Sequence, residues 1–347
     1  MITTRLSDDE FIRLSREASA RGSSGVKFAA ELGINIRSLQ RRRVTLKNNG
    51  VELPPLCGST INPVQFSDAP PRRHIYVPDT QIRRGVPVDH LPWVGKYIAK
   101  MKPDVIVFAG DWYDCPSMST HDAPGSKGKE GARYVDDIKA GNDALDALMK
   151  PIHDAKNKPD NNGKPWQPEI HVTLGNHEDR IRRMVETNPV LEGAIGYQDF
   201  GFVKNGITVH DFLSPVVLDG IAYSHYWSAP MTGRAYGGLA STILGKLGHS
   251  YTQGHRQVFD YATKNCQVTG REMIGLIAGA CYVHAEPYLG YQGNSHFRGL
   301  IVKNEVIDGH YDIMRVSLNY LCKQNEGMGL RKFLEMKYPQ SAWGHIK

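Results

Sequence analysis

Cysteine is scarce in this chain, and what there is has no order. Five cysteines in 347 residues (Cys57, Cys115, Cys266, Cys281, Cys322) are odd in number, scattered and without a CxxC pair. That excludes a disulfide framework and a thiolate zinc site. No apolar run approaches the roughly eighteen residues that cross a bilayer. The longest, around Val105–Ala109 and Gly275–Val283, have the length of core strands. The first residues include Asp8, Asp9 and Glu10 and lack the basic-then-apolar pattern of a secretory signal. Internal repeats and low-complexity tracts are missing as well. The expected setting is a reducing cytoplasm, with no membrane partner, and nothing in the sequence specifies an oligomeric state.

What is present has globular proportions. Hydrophobic residues make up 40% and charged residues 22%, which excludes wholesale disorder. The length allows one large domain and one small one. The formal charge is +6, and residues 1–50 hold ten Lys and Arg against five Asp and Glu. Five of the six net charges therefore sit in the first fifty residues. Basicity belongs to an N-terminal module.

In that module Ser7-Asp8-Asp9-Glu10 has the form of a capping box. The helix behind it sets Phe11, Leu14 and Ala18 on one face. Gly22 and Gly25 bracket a turn, and a second helix with Val26, Ala29 and Ala30 inward ends at Gly33. A third helix turns Ile36, Leu39 and Leu46 inward and Arg37, Gln40, Arg41, Arg42 and Lys47 largely outward. The segment Val26–Arg42 resembles a DNA-binding helix-turn-helix. In such modules the third helix reads base edges from its N-terminal half, a role that falls here to Asn35, Arg37, Ser38 and Arg41. Arg42, Arg43 and Lys47 would meet phosphates. A docking module with a solvated basic face is the alternative. Residues 51–71 hold five prolines and no periodicity. They read as a semi-stiff tether that would keep the larger domain, residues 72–347, near bound DNA.

After the tether, strands expected at His74–Val77, Val105–Ala109 and Ile170–Leu174 alternate with helices near Val88–Met101, Gly131–Met149 and Glu178–Glu186. This order predicts parallel strands with right-handed crossovers. Later segments at Ile207–Asp211, Val216–Ser224, Met273–Ala278, Gly299–Ile307 and Tyr311–Val316 read as β-rich and fit a second sheet packed on the first. Five short motifs punctuate this region: Asp79-Thr80-Gln81, Gly110-Asp111-Trp112-Tyr113-Asp114, Gly175-Asn176-His177-Glu178, the lone His225, and Gly254-His255-Arg256-Gln257. Three of them follow predicted strands, where open α/β sheets gather ligands. Each has a plainer reading. Asp79 could be a turn aspartate, Asn176 a helix cap, and His177 a buried, satisfied histidine. His210, His249, His284 or His296 could stand in for His225, and Arg256 could simply face solvent. Trp112 and Tyr113 read as wall residues.

The ordered set resembles the calcineurin-like metallophosphoesterases, over roughly Arg72 to Tyr320. The resemblance implies a two-sheet sandwich flanked by helices, two divalent metal ions and attack on a phosphate ester by a metal-activated hydroxide. It makes Asp111 the carboxylate bridging both metals and Asp79 a ligand of the first metal. Asn176, His225 and His255 complete the second. His177 stands beside the leaving oxygen, its ring held by Asp114, and Arg180, Arg256 and His121 are substrate-phosphate candidates. Two departures fall on the first metal: Gln81 and Gln257 stand where the family has histidines. A neutral amide oxygen suits manganese or magnesium better than zinc, so a weaker first site and a Mn2+-dependent enzyme are expected, with Mg2+ or Zn2+ as other possibilities.

The family contains phosphatases, nucleotide phosphodiesterases and nucleases. The basic helix-turn-helix directs the reading to a DNA-acting phosphodiesterase, similar to the DNA-repair exonuclease branch. The tandem of this module with Gly175–Arg180 looks like phage or prophage proteins, whose compartment would be the host cytoplasm. Two alternatives remain: a phosphomonoesterase on nucleotides or phosphoproteins, and a DNA-binding protein whose phosphoesterase domain has decayed to a scaffold.

Overall fold

The computed structural model describes residues 6–56, 67, 69–120, 130–158, 163–267, 270–286 and 296–343. Cys57, His121 and most of the second half of the expected tether lie outside them. The chain divides into two compact units, Met1–Phe66 and Ser67–Lys347.

Among its described residues the first unit holds three helices: α1 (Asp8–Ala20), α2 (Gly25–Glu31) and α3 (Ile36–Asn48). Each starts at a side-chain cap. The Ser7 hydroxyl accepts the Glu10 N–H, Ser24 accepts that of Lys27, and Asn35 Oδ1 accepts that of Ser38 at 2.8 Å. The Glu10 side chain is exposed. At Gly33, with φ +63°, the chain leaves α2 through a left-handed cap. There the Ile34 N–H reaches the Ala29 carbonyl and the Gly33 N–H that of Ala30.

The core of this unit is Phe11, Ala18, Phe28, Ala29, Leu39 and Leu46. Here the expected inner face of α2 needs correction: Val26 is 70% exposed and Ala30 also faces solvent. The helix begins at Gly25, so positions 26 and 30, four apart, share the outer face while Phe28 and Ala29 turn inward. Residues 51–56, the expected start of the tether, instead pack on this core. Leu56 is buried, the Arg43 guanidinium donates to the Pro54 carbonyl, and the Ser19 hydroxyl donates to that of Pro55.

The described residues of the second unit form a mixed α/β fold with two sheets. β1 (Arg72–Val77), β2 (Val105–Phe108), β3 (Glu169–Thr173) and β4 (Thr208–His210) run parallel in that spatial order. β2 and the second half of β1 are apolar or aromatic and buried on both faces, the pattern of a covered parallel sheet, whereas β3 and β4 carry polar and half-exposed positions toward the edge. α4 (His90–Met101) and α5 (Tyr134–Lys156) link the first three strands. α5 runs through Pro151 and beyond its expected end. The hairpin β10 (Gly299–Ile307) and β11 (His310–Ser317) adds antiparallel to β1. So β4, β10 and β11, expected in the second sheet, instead extend the first at its two edges. A free edge accepts whichever strand the connections deliver, and short-range patterning carries no record of that.

The second sheet has the order β5 (Val216–Leu218), β6 (Ile221–Tyr223), β7 (Tyr251–Gln253), β9 (Glu272–Ala278) and β8 (Phe259–Asn265). Its middle strands β6, β7 and β9 are parallel. The β-rich run Val216–Ser224 is a hairpin, because Asp219 and Gly220 both adopt positive φ, 48° and 79°. An Asp-Gly pair is the favoured two-residue turn of this kind.

Tyr76, Val105, Val107 and Ala109 of the first sheet meet Ile221, Tyr223, Ile274, Leu276 and Ala278 of the second in one buried cluster. The other face of the first sheet packs on α4, α5 and the C-terminal helices α8 (Leu318–Glu326) and α9 (Leu330–Lys337). α7 (Ala240–Leu247) covers the second sheet. None of α7, α8 and α9 was expected from the sequence. No described helix is long and apolar enough to cross a membrane.

Candidate metal centre

Five side chains with oxygen or imidazole donors leave the carboxyl ends of parallel strands. Asp79 follows β1, Asp111 follows β2, and Asn176 lies just beyond β3, at the start of the turn into α6 (Asp179–Thr187). His225 follows β6 and His255 follows β7. Parallel pairing sends these ends the same way within each sheet, so the motifs converge although they are far apart in sequence.

The ligand-type atoms of Asp111, His225 and His255 all lie within 4.8 Å of one another, and this largely buried group could hold a metal ion. His225 Nε2 is 3.2 Å from Asp111 Oδ2 and 3.0 Å from Asn176 Oδ1. Its Nδ1 stands 2.9 Å from the Ala109 carbonyl. A carbonyl can only accept, so Nδ1 carries a proton, and Nε2, whose proton faces Asp111 and Asn176, is the atom that a cation would take in that proton's place. Asn176 is not the helix cap, because Glu178 occupies that position and Asn176 Oδ1 faces His225. His210 stacks instead on His171, His249 meets the Ser250 carbonyl and His284 pairs with Glu286.

Asp79 joins the centre through backbone. Its Oδ1 accepts the His255 N–H at 3.0 Å, and the N–H groups of Thr80 and Gln81 reach the Asp111 carbonyl. Asp79 Oδ2 and Gln81 Oε1 are buried with no hydrogen-bond partner. Buried acceptors are rarely left so, and the Asp79 oxygen, within electrostatic reach of Asp111 and His225, fits a cation's coordination shell. Gln257 differs. Its Oε1 accepts the Tyr282 hydroxyl at 2.6 Å, so the amide oxygen is already engaged.

Close approach explains the glycines of two motifs. A Cβ on Gly175 would lie 2.1 Å from Asp111 Oδ1, and one on Gly254 would lie 2.0 Å from Asp79 Oδ1. Gln81, Asp111, His255 and Gln257 hold positive φ angles of 47°, 46°, 63° and 58°. Non-glycine residues rarely adopt that region, and such strain gathers at functional sites.

Beside the cluster, His177 Nδ1 lies 2.8 Å from Asp114 Oδ1, and its Nε2 is 3.7 Å from Asp111 Oδ2. Arg180 Nη1 donates to the Asp114 carbonyl at 2.6 Å, and its Nη2 lies 3.3 Å from His177 Nε2. Arg256 is exposed and its guanidinium donates to the Gly238 carbonyl, so the structure does not bring it to the cluster. In the helical unit Asn35, Arg37, Ser38, Arg41 and Lys47 are exposed. Arg42 instead pairs with Asp8 at 2.8 Å and covers the Phe11 ring, and Arg43 holds Pro54. Both of these arginines serve the unit's own packing.

The electrostatics are those of crowded, dry charges. Burial works to raise the Asp111 carboxyl, but His177 and His225 outweigh it and hold it well below the carboxylate range. Burial raises Asp79, with Asp111 adding to the effect and His225 opposing it. Burial works to lower His225, yet Asp111 carries it up to about 9. Burial and the neighbouring His225 bring His255 down to about 4. A cation in the centre would replace these protons and relieve the mismatch.

One residue of the centre was missed in the sequence. Glu178 is fully buried, and its carboxylate accepts four backbone N–H groups, from Asp111, Trp112, Tyr113 and Gly175, at 2.6–2.9 Å. It clamps the loop after β2 to the loop after β3. Its only sequence signal was a glutamate directly after His177.

No protein-family model matches this chain, and no curated protein matches it.

Proposed function

We propose that this chain is a calcineurin-like metallophosphoesterase that hydrolyses phosphate diesters in DNA. The observation that carries this reading is the convergence of Asp79, Asp111, Asn176, His225 and His255 at strand ends, with the His177–Asp114 pair alongside. Asp111 is central, with Asn176, His225 and His255 on the nitrogen-rich side and Asp79 and Gln81 on the oxygen-only side. When bound, divalent cations supply Lewis acidity for the phosphoryl oxygens and a water of lowered pKa. The oxygen-only side favours manganese or magnesium there, with Mn2+ the first choice.

His177 donates Nδ1–H to Asp114, which leaves Nε2 as the atom that exchanges a proton with the leaving oxygen. Arg180, beside that nitrogen, is placed to hold a phosphoryl oxygen. The DNA part of the reading rests on the exposed Asn35, Arg37, Ser38, Arg41 and Lys47 of α3.

The deciding experiment is cleavage of labelled single- and double-stranded DNA with Mn2+, wild type against Asp111→Asn. Cutting that vanishes in the variant supports the reading; cutting that persists sinks it. The Gln257–Tyr282 hydrogen bond favours one rival, a decayed phosphoesterase scaffold on a DNA-binding protein. Metal content separates the two, since a decayed centre would retain no stoichiometric Mn2+. A monoester turned over in preference to a diester would point to a phosphomonoesterase.

A further inference from the structure

A line of buried charge leads away from the centre on its His177 side. Asp114 uses its two oxygens differently: Oδ1 faces His177 Nδ1 at 2.8 Å, and Oδ2 accepts from Arg83 Nη1 at 2.8 Å. The same Arg83 nitrogen donates to Glu286 Oε1, also at 2.8 Å. Glu286 Oε1 in turn stands 2.8 Å from His284 Nε2. The Arg83 side chain is 22% exposed, Asp114 11% and Glu286 6%. Arg83 comes from the loop after β1, Asp114 from that after β2, and Glu286 from the segment after β9. A charge-assisted bond in such surroundings is stronger and more directional than one at the surface.

We infer that Arg83 and Glu286 are positioning residues for the His177–Asp114 pair. This rests on the phosphoesterase reading only for its kinetic consequence. A carboxylate bound through one oxygen can swing about its Cβ–Cγ bond, and the Arg83 contact on Oδ2 stops that swing. Among the described residues the other side-chain cation near Asp114 is Arg180, whose Nη1 lies 3.8 Å from Oδ1, the oxygen that His177 uses. With Arg83 gone, Asp114 would turn toward Arg180 and leave His177 Nδ1 only the longer contact to the Asp114 carbonyl, at 3.1 Å, in place of the carboxylate at 2.8 Å. Glu286 acts one step further out. It takes the second hydrogen bond from Arg83 Nη1, so that the guanidinium sits at one fixed place between two carboxylates rather than following either.

The test uses the full chain with 15N-labelled histidine and reads the downfield imidazole N–H resonance of the His177–Asp114 hydrogen bond, assigned by its loss in His177→Asn. Arg83→Gln is expected to abolish that resonance. Arg84→Gln, which alters an exposed neighbour bound to Asp136, keeps it. Arg83→Lys preserves the charge but offers a shorter head, and is expected to shift the resonance without abolishing it. An unshifted resonance in either Arg83 variant overturns the inference.

Kinetics supply the second arm. A group that positions a general acid matters most when the leaving group is poor. Arg83→Gln should lower kcat for an alkyl-leaving diester by roughly tenfold or more, and for a nitrophenyl diester only slightly, with KM unchanged. Equal losses on both substrates would mean a merely structural role and also overturn it. If the wild type hydrolyses neither ester while the resonance responds as described, the phosphoesterase reading falls and the positioning role stands.

Discussion

Glu178 Oε2 accepts the Asp111 backbone N–H at 2.8 Å, so a carboxylate that takes no place among the ligand groups holds the residue at their middle. Three further N–H groups end on the same carboxylate, and all of this is out of reach of water. Replacing Glu178 with alanine would orphan four buried donors. The expected loss is at least about 3 kcal/mol of stability, read by denaturant unfolding. Glu178→Gln keeps one acceptor oxygen but presents an amide N–H2 to donors, and should lose metal binding even where it folds. A variant of native stability that still binds Mn2+ would remove the clamp from the account.

Gly175→Ala and Gly254→Ala should each disrupt the centre, because the added methyl would stand 2.1 Å from Asp111 Oδ1 and 2.0 Å from Asp79 Oδ1. Gly237→Ala is the control, with open space around its Cβ position and an ordinary φ. Calorimetric titration with Mn2+ reads the difference. Binding that survives in both variants would mean that these carboxylates are not ligands.

The two sides of the centre should respond in opposite senses to substitution. Asn176→Ala or His255→Ala is expected to abolish hydrolysis, since each removes a donor from the nitrogen-rich side. Gln81→His should tighten the oxygen-only side and widen metal use toward zinc. Activity profiles across Mn2+, Mg2+ and Zn2+ measure this, and an alanine variant with full activity would place the chemistry elsewhere.

Adjacent arginines of α3 should separate cleanly. Arg41 is exposed, whereas Arg42 bonds Asp8 and covers Phe11. Arg41→Ala should weaken DNA binding and lower the salt slope by about one, with stability unchanged. Arg42→Ala should destabilise the helical unit by roughly 1 kcal/mol through lost packing and a lost partner. Reversed behaviour of the two would mean that another face of the unit meets DNA.

His90 gives a pH dependence independent of any metal. It is fully buried, its Nε2–H donates to the Cys281 carbonyl at 2.9 Å, and burial brings its pKa from the ordinary 6.5 to about 4. The unfolded chain therefore takes up a proton below pH 6.5 while the folded chain stays neutral until about 4. Stability is full above 6.5 and falls as pH drops through this window, by roughly 3 kcal/mol in all. His90→Gln retains a donor without the titration and should flatten the slope between pH 7 and 4. An unchanged slope would assign the acid sensitivity to other groups.

Much of the centre was legible beforehand because its chemistry is local. Asp111, Asn176, His177 and His255 stand in short motifs whose glycines are required by close approach, and apolar runs mark the strands before Asp79, Asp111 and Asn176. The Asp-Gly turn at 219–220 is equally local, and it divides the β-rich run Val216–Ser224 into two strands. Glu178 and Arg83 were not legible. Both act on partners far away in sequence, and nothing beside them distinguishes a buried clamp from a solvated charge.

The chain's own order of residues thus determined the alternation of strands and helices between β1 and α6, the three capped helices ahead of them, and the kinds of donor available at each strand end. Those follow from side-chain periodicity, capping chemistry and turn preference, which act within a few residues. Tertiary structure alone decided which sheet β4, β10 and β11 joined. It decided that Gln257 bonds Tyr282 while Gln81 keeps an unpartnered oxygen, and that Arg42 and Arg43 turn inward. Each of these is set by packing between distant segments, where one buried partner, present or absent, shifts the balance by more than any local preference can.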